Sequence, residues 1–233
     1  MCWSLEASLA AFVWCTLCAI YLQRRQASPR DVWAWKFLLA YGLVQLCDAG
    51  FWLNRALLPH HDDSSSTPHS VCESTNALIS EYGLPIVLTT GVAVQIHQGI
   101  EHLLGRPLPI WTAVLLAGWI LSAPSRFDLY WGPKPYCTSL LENRTLLWGD
   151  RPASTLWVVG GTISFALPFI VMRPRSVGIV YFALGAGSSA LVYRMEPRAW
   201  GSNWCFIAAL FSLVFIAEPY VTGIHSVEKD RVS

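Results

Sequence analysis

Charged residues are scarce in this sequence. They make up 13% of its 233 residues, whereas 54% of the residues are hydrophobic. Soluble domains usually carry about 25% charged residues, so this composition argues against an ordinary soluble domain. The net charge is only +1, and this small value excludes the basic excess that would point to nucleic acid as a partner. The composition favours a protein whose main partner is the lipid bilayer.

Sequence signatures of catalysis and cofactor binding are also missing. There is no Gly-X-Ser-X-Gly run, no His-Glu-X-X-His run and no glycine-rich phosphate loop. No lysine lies within the last apolar segment, which excludes a retinal Schiff base there. The histidines lack the spacing of a zinc site. The sequence therefore predicts no cofactor and no metal, and it assigns no catalytic residue.

Seven apolar segments reach, or nearly reach, the length that a membrane-spanning helix needs, which is about 20 residues. They are 3–22, 32–53, 78–98, 108–124, 154–172, 177–194 and 203–223. The first is expected to be retained, because its arginine pair follows the apolar run instead of preceding it. The sequence thus predicts an all-α integral membrane bundle of about seven transmembrane helices over residues 1–224. Residues 225–233 are predicted to form a short polar cytoplasmic tail.

The basic residues predict the orientation of this bundle. Arg24 and Arg25 follow the first span, and Arg173 and Arg175 lie in the short turn between spans five and six. Because short loops rich in arginine and lysine stay in the cytoplasm, we expect the N-terminus outside or in a lumen and the C-terminus in the cytoplasm.

Three residues of interest fall on the predicted outer side. Asn143 begins the tripeptide Asn-Arg-Thr and is a candidate glycosylation site. Cys72 precedes the third span and Cys137 lies in the long fourth loop. They either form a disulfide, which would tie this loop to a helix end, or remain free thiols.

Acidic side chains lie at similar depths in the outer thirds of the first three spans. These are Glu6, Asp48 and Glu81, of which Asp48 is the deepest. An ionisable group at membrane depth usually faces the interior of a bundle. The three carboxylates either line one outward-facing pocket that binds a ligand or ion, or each lies close enough to the interface to be hydrated.

A second polar set lies toward the cytoplasmic side. His97 is at the inner end of span three, and Glu218 is in span seven just before Pro219. The two either pair across helices or make separate polar contacts that hold the bundle together.

The opening run Cys2-Trp3-Ser4-Leu5-Glu6-Ala7-Ser8 and the second-span residues Gln45, Asp48 and Trp52 resemble an uncharacterised family of small multi-pass membrane proteins. That family, found in microbes and large DNA viruses, opens with a CWSxExS-type run. The likeness covers about a quarter of the chain, and Asp48 stands where glutamate is expected. It implies that Glu6 and Asp48 belong to one shared feature, and it implies no activity.

Three functions remain open from the sequence. The first is binding or moving a small ligand, ion or proton through a polar bundle interior, which the common depth of the carboxylates favours. The second is a structural or assembly subunit that binds other membrane subunits. The third is an intramembrane lipid-modifying enzyme.

Overall fold

A computed structural model describes residues 4–25, 29–53, 74–131, 137–141, 145–148, 155–171 and 175–222, which form eight helices and one β-hairpin. The helices are α1 (Leu5–Arg25), α2 (Pro29–Leu53), α3 (Ser74–Leu104), α4 (Ile110–Leu121), α5 (Ala123–Trp131), α6 (Thr155–Ile170), α7 (Arg175–Met195) and α8 (Trp200–Thr222). Helix α3 contains a π-helical turn at Ile79–Gly83, and a 3-10 turn, Pro197–Ala199, precedes α8. Strands β1 (Ser139–Leu140) and β2 (Leu146–Leu147) pair antiparallel, with Ser139 opposite Leu147.

A helix lies over each of the seven predicted segments, which confirms the helical prediction. By length and composition, four of the described helices are able to cross a membrane: α1, α3, α7, and α8 with its preceding turn. Helix α2 has 25 residues, but Gln45 and Asp48 interrupt its apolar sequence. Helix α4 is apolar but has only 12 residues, and α6 has 16. The fold is thus consistent with an integral membrane protein, while the count of seven crossings stays a prediction.

Local sequence explains where several helices begin and end. Pro29 opens α2, and proline is favoured in the first turn because that turn needs no intrahelical N–H donor. Asp31 follows in the same turn, where its negative charge suits the helix dipole. Gly105 ends α3 with φ 63°, a left-handed backbone conformation that residues other than glycine adopt at a cost.

Helix α2 lies at the centre of the bundle, against α1, α3 and α8. Small residues allow two of these helices to approach it closely. A Cβ added at Gly42 of α2 would lie 3.1 Å from Cβ of Cys15 in α1, and one at Gly91 of α3 would lie 3.4 Å from Cβ of Ala40. The polar side chains Arg30, Asp31, Gln45 and Asp48 of α2 are buried among these helices.

An aromatic cluster joins four helices on one side of α2. Phe37 of α2 contacts Phe215 of α8 edge to face, with ring centroids 5.6 Å apart. Tyr181 of α7 makes the same kind of contact with Phe215 at 5.1 Å and with Phe169 of α6 at 5.6 Å. Such pairs contribute about 0.5–1.5 kcal/mol each beyond their buried area.

Arg25, the last residue of α1, binds both the start of α2 and the backbone of α8. Its guanidinium donates to both carboxylate oxygens of Asp31, at 2.9 and 2.5 Å. It also donates to the backbone carbonyls of Phe215 and Ile216, at 3.1 and 3.0 Å. Pro219 has no N–H to donate to the Phe215 carbonyl four residues earlier, so Arg25 supplies the donor that the helix lacks.

A second ion pair lies beside the first. Arg30 of α2 donates to Oε1 of Glu218 in α8 at 2.5 Å, and both side chains are only 8% exposed. The sequence offered His97 as a partner for Glu218, but the structure gives the two residues different partners. Nδ1 of His97 lies 3.4 Å from Oε2 of Glu101, one turn along the same helix. Glu218 thus contacts α2, whereas His97 contacts a residue of its own helix.

Replacing Glu218 by glutamine should destabilise the protein, because the buried Arg30 guanidinium would then face a neutral side chain. Removing one member of a buried ion pair costs about 3 kcal/mol or more. The matched control is Glu196→Gln, which removes a carboxylate 3.4 Å from Arg198 in a partly exposed pair and should cost less than about 1 kcal/mol. Thermal unfolding in detergent measures both, and equal unfolding midpoints for the two variants would contradict the prediction.

Candidate functional site

A pocket of about 270 Å³ lies where α2, α3, α6 and α8 meet α4, α5 and the residue that follows β2. Six aromatic side chains form much of its described lining: Tyr41, Trp119, Phe127, Trp148, Trp200 and Trp204. Thr89 adds a hydroxyl group, and Arg126 is the charged side chain in this described lining. The pocket is therefore mainly aromatic, with few polar groups.

Trp200 and Trp204 form one wall of this aromatic pocket. They are four residues apart on α8, and their rings stack with centroids 6.0 Å apart and an interplanar angle of 8°. Trp200 donates its indole N–H to Oγ of Ser189 at 3.0 Å, and Trp204 donates to Oγ of Ser188 at 3.1 Å. Both serines belong to α7, so two interhelical hydrogen bonds fix the orientation of this wall.

Trp148 contributes another part of the lining, beside the start of α8, and is held by Asp48. Its indole N–H donates to Oδ1 of Asp48 at 2.9 Å, and Asp48 is fully buried in α2. The six-membered ring of Trp148 packs against Gly201 at the start of α8. A Cβ at position 201 would lie 2.6 Å from Cε3 of this ring, closer than atoms can approach without a shift. Position 201 therefore requires glycine for Trp148 to lie here.

The first strand of the β-hairpin is attached to α3 through Thr138, which lies beside Trp148 because the next residue, Ser139, pairs with Leu147. Asn76 of α3 accepts from the backbone N–H of Thr138 and donates to its carbonyl, both at 2.9 Å. Oγ of Ser80 lies 2.9 Å from Oγ1 of Thr138. These buried contacts attach the hairpin to α3, and Trp148 attaches it to α2.

Cys137, next to Thr138, is disulfide-bonded. Its predicted partner Cys72 lies outside the described residues, so the pairing of the two stays a prediction. Asn143 and the tail 225–233 also lie outside the described part. The four other cysteines that the structure describes carry reduced thiols, namely Cys15, Cys18, Cys47 and Cys205.

Arg126 reaches the pocket from the first turn of α5. The centre of its guanidinium lies 4.6 Å from the centroid of the Trp119 ring, a cation–π contact. One Nη donates to the backbone carbonyl of Trp119 at 2.5 Å. Its Nε is buried and has no hydrogen-bond partner within the described part of the chain.

Of the three acidic residues that the sequence singled out, only Asp48 reaches the pocket, and it does so through Trp148. Glu6 is exposed at the start of α1, and Glu81 is partly buried in the π-helical turn of α3. Neither belongs to the described lining. Among the described residues, no group of three or more potential ligands is arranged to hold a metal ion. The described lining is thus aromatic and basic in character.

Sequence reasoning missed most of the pocket. Taken singly, Arg126 and Trp204 belong to no motif that would mark them in the sequence as pocket residues. One local signal does point to the site. The i, i+4 spacing of Trp200 and Trp204 around Gly201 predicts two stacked indoles beside a position without a side chain.

No family model, curated protein or solved structure matches this chain. What the site does must therefore be argued from its geometry.

Replacing Gly201 by alanine should displace the Trp148 ring and destabilise the protein by about 1–3 kcal/mol, the usual cost of overpacking. Gly187→Ala is the matched control, because a Cβ there meets no atom within 4 Å. In helix α7 that change should be neutral or stabilising by up to about 1 kcal/mol. Thermal unfolding in detergent compares them, and a Gly201→Ala protein as stable as wild type would show that Trp148 does not depend on this contact.

Proposed function

We propose that this protein is a seven-span membrane protein that binds one small, mainly apolar ligand in the aromatic pocket. The observation that carries the proposal is the space of about 270 Å³ beside six aromatic side chains. The pocket is a partly open concave space whose walls are fixed by hydrogen bonds, and small-molecule sites commonly have this form. The volume of the pocket lies near the lower end of the range for small-molecule sites, which favours a compact ligand.

The chemistry of the lining supports binding of an apolar body. Indole and phenyl faces pack well on aliphatic chains or rings, while a few polar groups orient the ligand. Thr89 and Arg126 are such groups here. Binding is favoured over the movement of cations, because the described lining includes a guanidinium and no carboxylate.

Seven crossings accord with the arrangement of the helices. Only Ser122 separates α4 from α5, and its backbone is close to helical, with φ −81° and ψ −1°, so the two helices together supply one interrupted span. Helix α2 crosses at the centre of the bundle, where its polar residues meet protein and avoid lipid. In the orientation that we propose, Arg25, Arg30 and Arg175 lie on the cytoplasmic side. The resemblance of the opening run to an uncharacterised multi-pass family is compatible with this proposal and adds no activity to it.

Epitope tags at the two termini test the topology. With seven crossings and the proposed orientation, an N-terminal tag should be reached by antibody in intact cells, or from the lumen of isolated organelles. A C-terminal tag should be reached only from the cytoplasm. Tags on the same side would contradict an odd number of crossings, and the reversed pattern would contradict the orientation.

Native mass measurement after mild extraction tests the ligand. Gly160 belongs to the lining, and a Cβ added there meets no atom within 4 Å. The variant Gly160→Leu should fill part of the pocket and lose a small molecule that wild type retains. Gly187→Leu adds the same side chain in open space away from the described lining and should retain the molecule. If wild type shows no added mass, a broad panel of small molecules is tested for a change in its tryptophan fluorescence. No change with any of them would contradict the proposal.

One observation favours a second candidate function, that of an assembly subunit. Helix α4 has no buried residue among those described, and its apolar side chains are unusually bare, with Ile110 84% and Leu121 73% exposed. Lipid or a neighbouring membrane protein would cover such a surface. The same mass measurement distinguishes the two functions, because an assembly subunit would be extracted together with other chains.

A further inference from the structure

Arg126 differs from the other partly or fully buried arginines of the described chain. Arg25 and Arg30 each have a carboxylate partner at 2.5 Å, Asp31 and Glu218 respectively. Arg126 has no carboxylate partner among the described residues, although its side chain is only partly exposed. A guanidinium keeps its charge, and the cost of removing that charge from water is offset only by suitable partners.

The protein contacts of Arg126 leave part of the guanidinium without a partner. The ring of Trp119 covers one face, and the Trp119 carbonyl accepts from one Nη. Nε is buried and has no acceptor within the part of the chain that the structure describes. An N–H donor in this state, in the lining of a pocket, indicates that a ligand oxygen completes its hydrogen bonding.

We infer that the pocket binds a single-chain amphiphile whose carboxylate contacts Arg126. This inference rests on the proposed function, because it assigns the ligand class of the same site. The six aromatic side chains would enclose the apolar body while the guanidinium binds the acid group. A space of about 270 Å³ favours a single short or folded chain over the two acyl chains of a membrane lipid.

The charge and number of the donors favour a carboxylate over two other head groups. One guanidinium matches the single charge and two oxygens of a carboxylate. A phosphate monoester has three oxygens and close to two negative charges, and Arg126 is the single charged group in the described lining. Aromatic faces alone would attract a quaternary ammonium group, but the positive charge of Arg126 repels it.

A fluorescent polyene fatty acid and its methyl ester test this inference, with energy transfer from tryptophan as the readout. The protein is placed in lipid nanodiscs, and the signal of the Gly160→Leu variant is subtracted to remove probe that is dissolved in the lipid. For wild type we expect the acid to bind at least about tenfold more tightly than the ester, because a charge-assisted hydrogen bond forms only with the acid. The Arg126→Gln variant should bind the acid only as tightly as the ester, and its affinity for the ester should equal that of wild type.

Two further variants separate binding from folding. Arg126→Lys keeps the positive charge and should retain a preference for the acid, although a smaller one. Arg198→Gln removes an exposed arginine outside the described lining and should behave like wild type. Unchanged ester affinity in Arg126→Gln shows that the pocket is intact. If Arg126→Gln loses the ester as well, the affinities of acid and ester for Arg126→Lys are compared instead. Equal affinities for that variant overturn the inference.

Other outcomes overturn the inference and the proposed function separately. Equal affinities of acid and ester for wild type would overturn the carboxylate inference and leave the proposed ligand pocket standing. Tighter binding of a single-chain lipid phosphate than of the fatty acid would overturn the choice of carboxylate. If neither the acid nor the ester gives a signal above that of Gly160→Leu, and wild type retains no small molecule, the proposed function fails as well.

Discussion

The hydrogen bond from Trp148 to Asp48 connects the central helix with the hairpin and with the pocket. It joins residues 100 positions apart in the chain and lies where the carboxylate is fully buried. In such surroundings a polar group without a partner is costly, so donor and acceptor hold each other in place. The indole is also part of the pocket lining, and it occupies the space that Gly201 leaves free. The pocket therefore exists in this form only while α2, the hairpin and the start of α8 stay together.

The same constraint explains the unusual use of tryptophan. The sequence has 12 tryptophans, and many of them lie near the ends of apolar runs, a position in which tryptophan is common at membrane interfaces. Five indole N–H groups in the described chain instead donate to side chains of other segments. The pairs are Trp14 with Ser212, Trp33 with Gln95, Trp148 with Asp48, Trp200 with Ser189 and Trp204 with Ser188. A large apolar ring with one donor packs within a bundle and joins two segments by a directed hydrogen bond.

The two ends of helix α2 show how different kinds of polar group are accommodated in the bundle. At its first turn, Asp31 and Arg30 form ion pairs with α1 and α8, and Arg25 also compensates the interruption that Pro219 causes in α8. Near its other end, Asp48 accepts from a neutral indole. Arg126, outside this network, is a partly buried charge for which the described chain offers a cation–π contact and a carbonyl but no anion. That difference is why the pocket is the part of the molecule that points to a ligand.

The sequence by itself determined the helical character of the chain and the approximate position of each helix. Helix formation in an apolar medium depends on local runs of residues, and signals such as Pro29 and Gly105 act on their immediate neighbours. Asp48 and Glu218 were recognised as buried polar residues for the same local reason. Their partners were not, because Arg30 and Glu218 are 188 positions apart and Trp148 follows a hairpin. Which polar groups meet depends on how each helix is rotated about its axis, and only the packing of the whole bundle decides that.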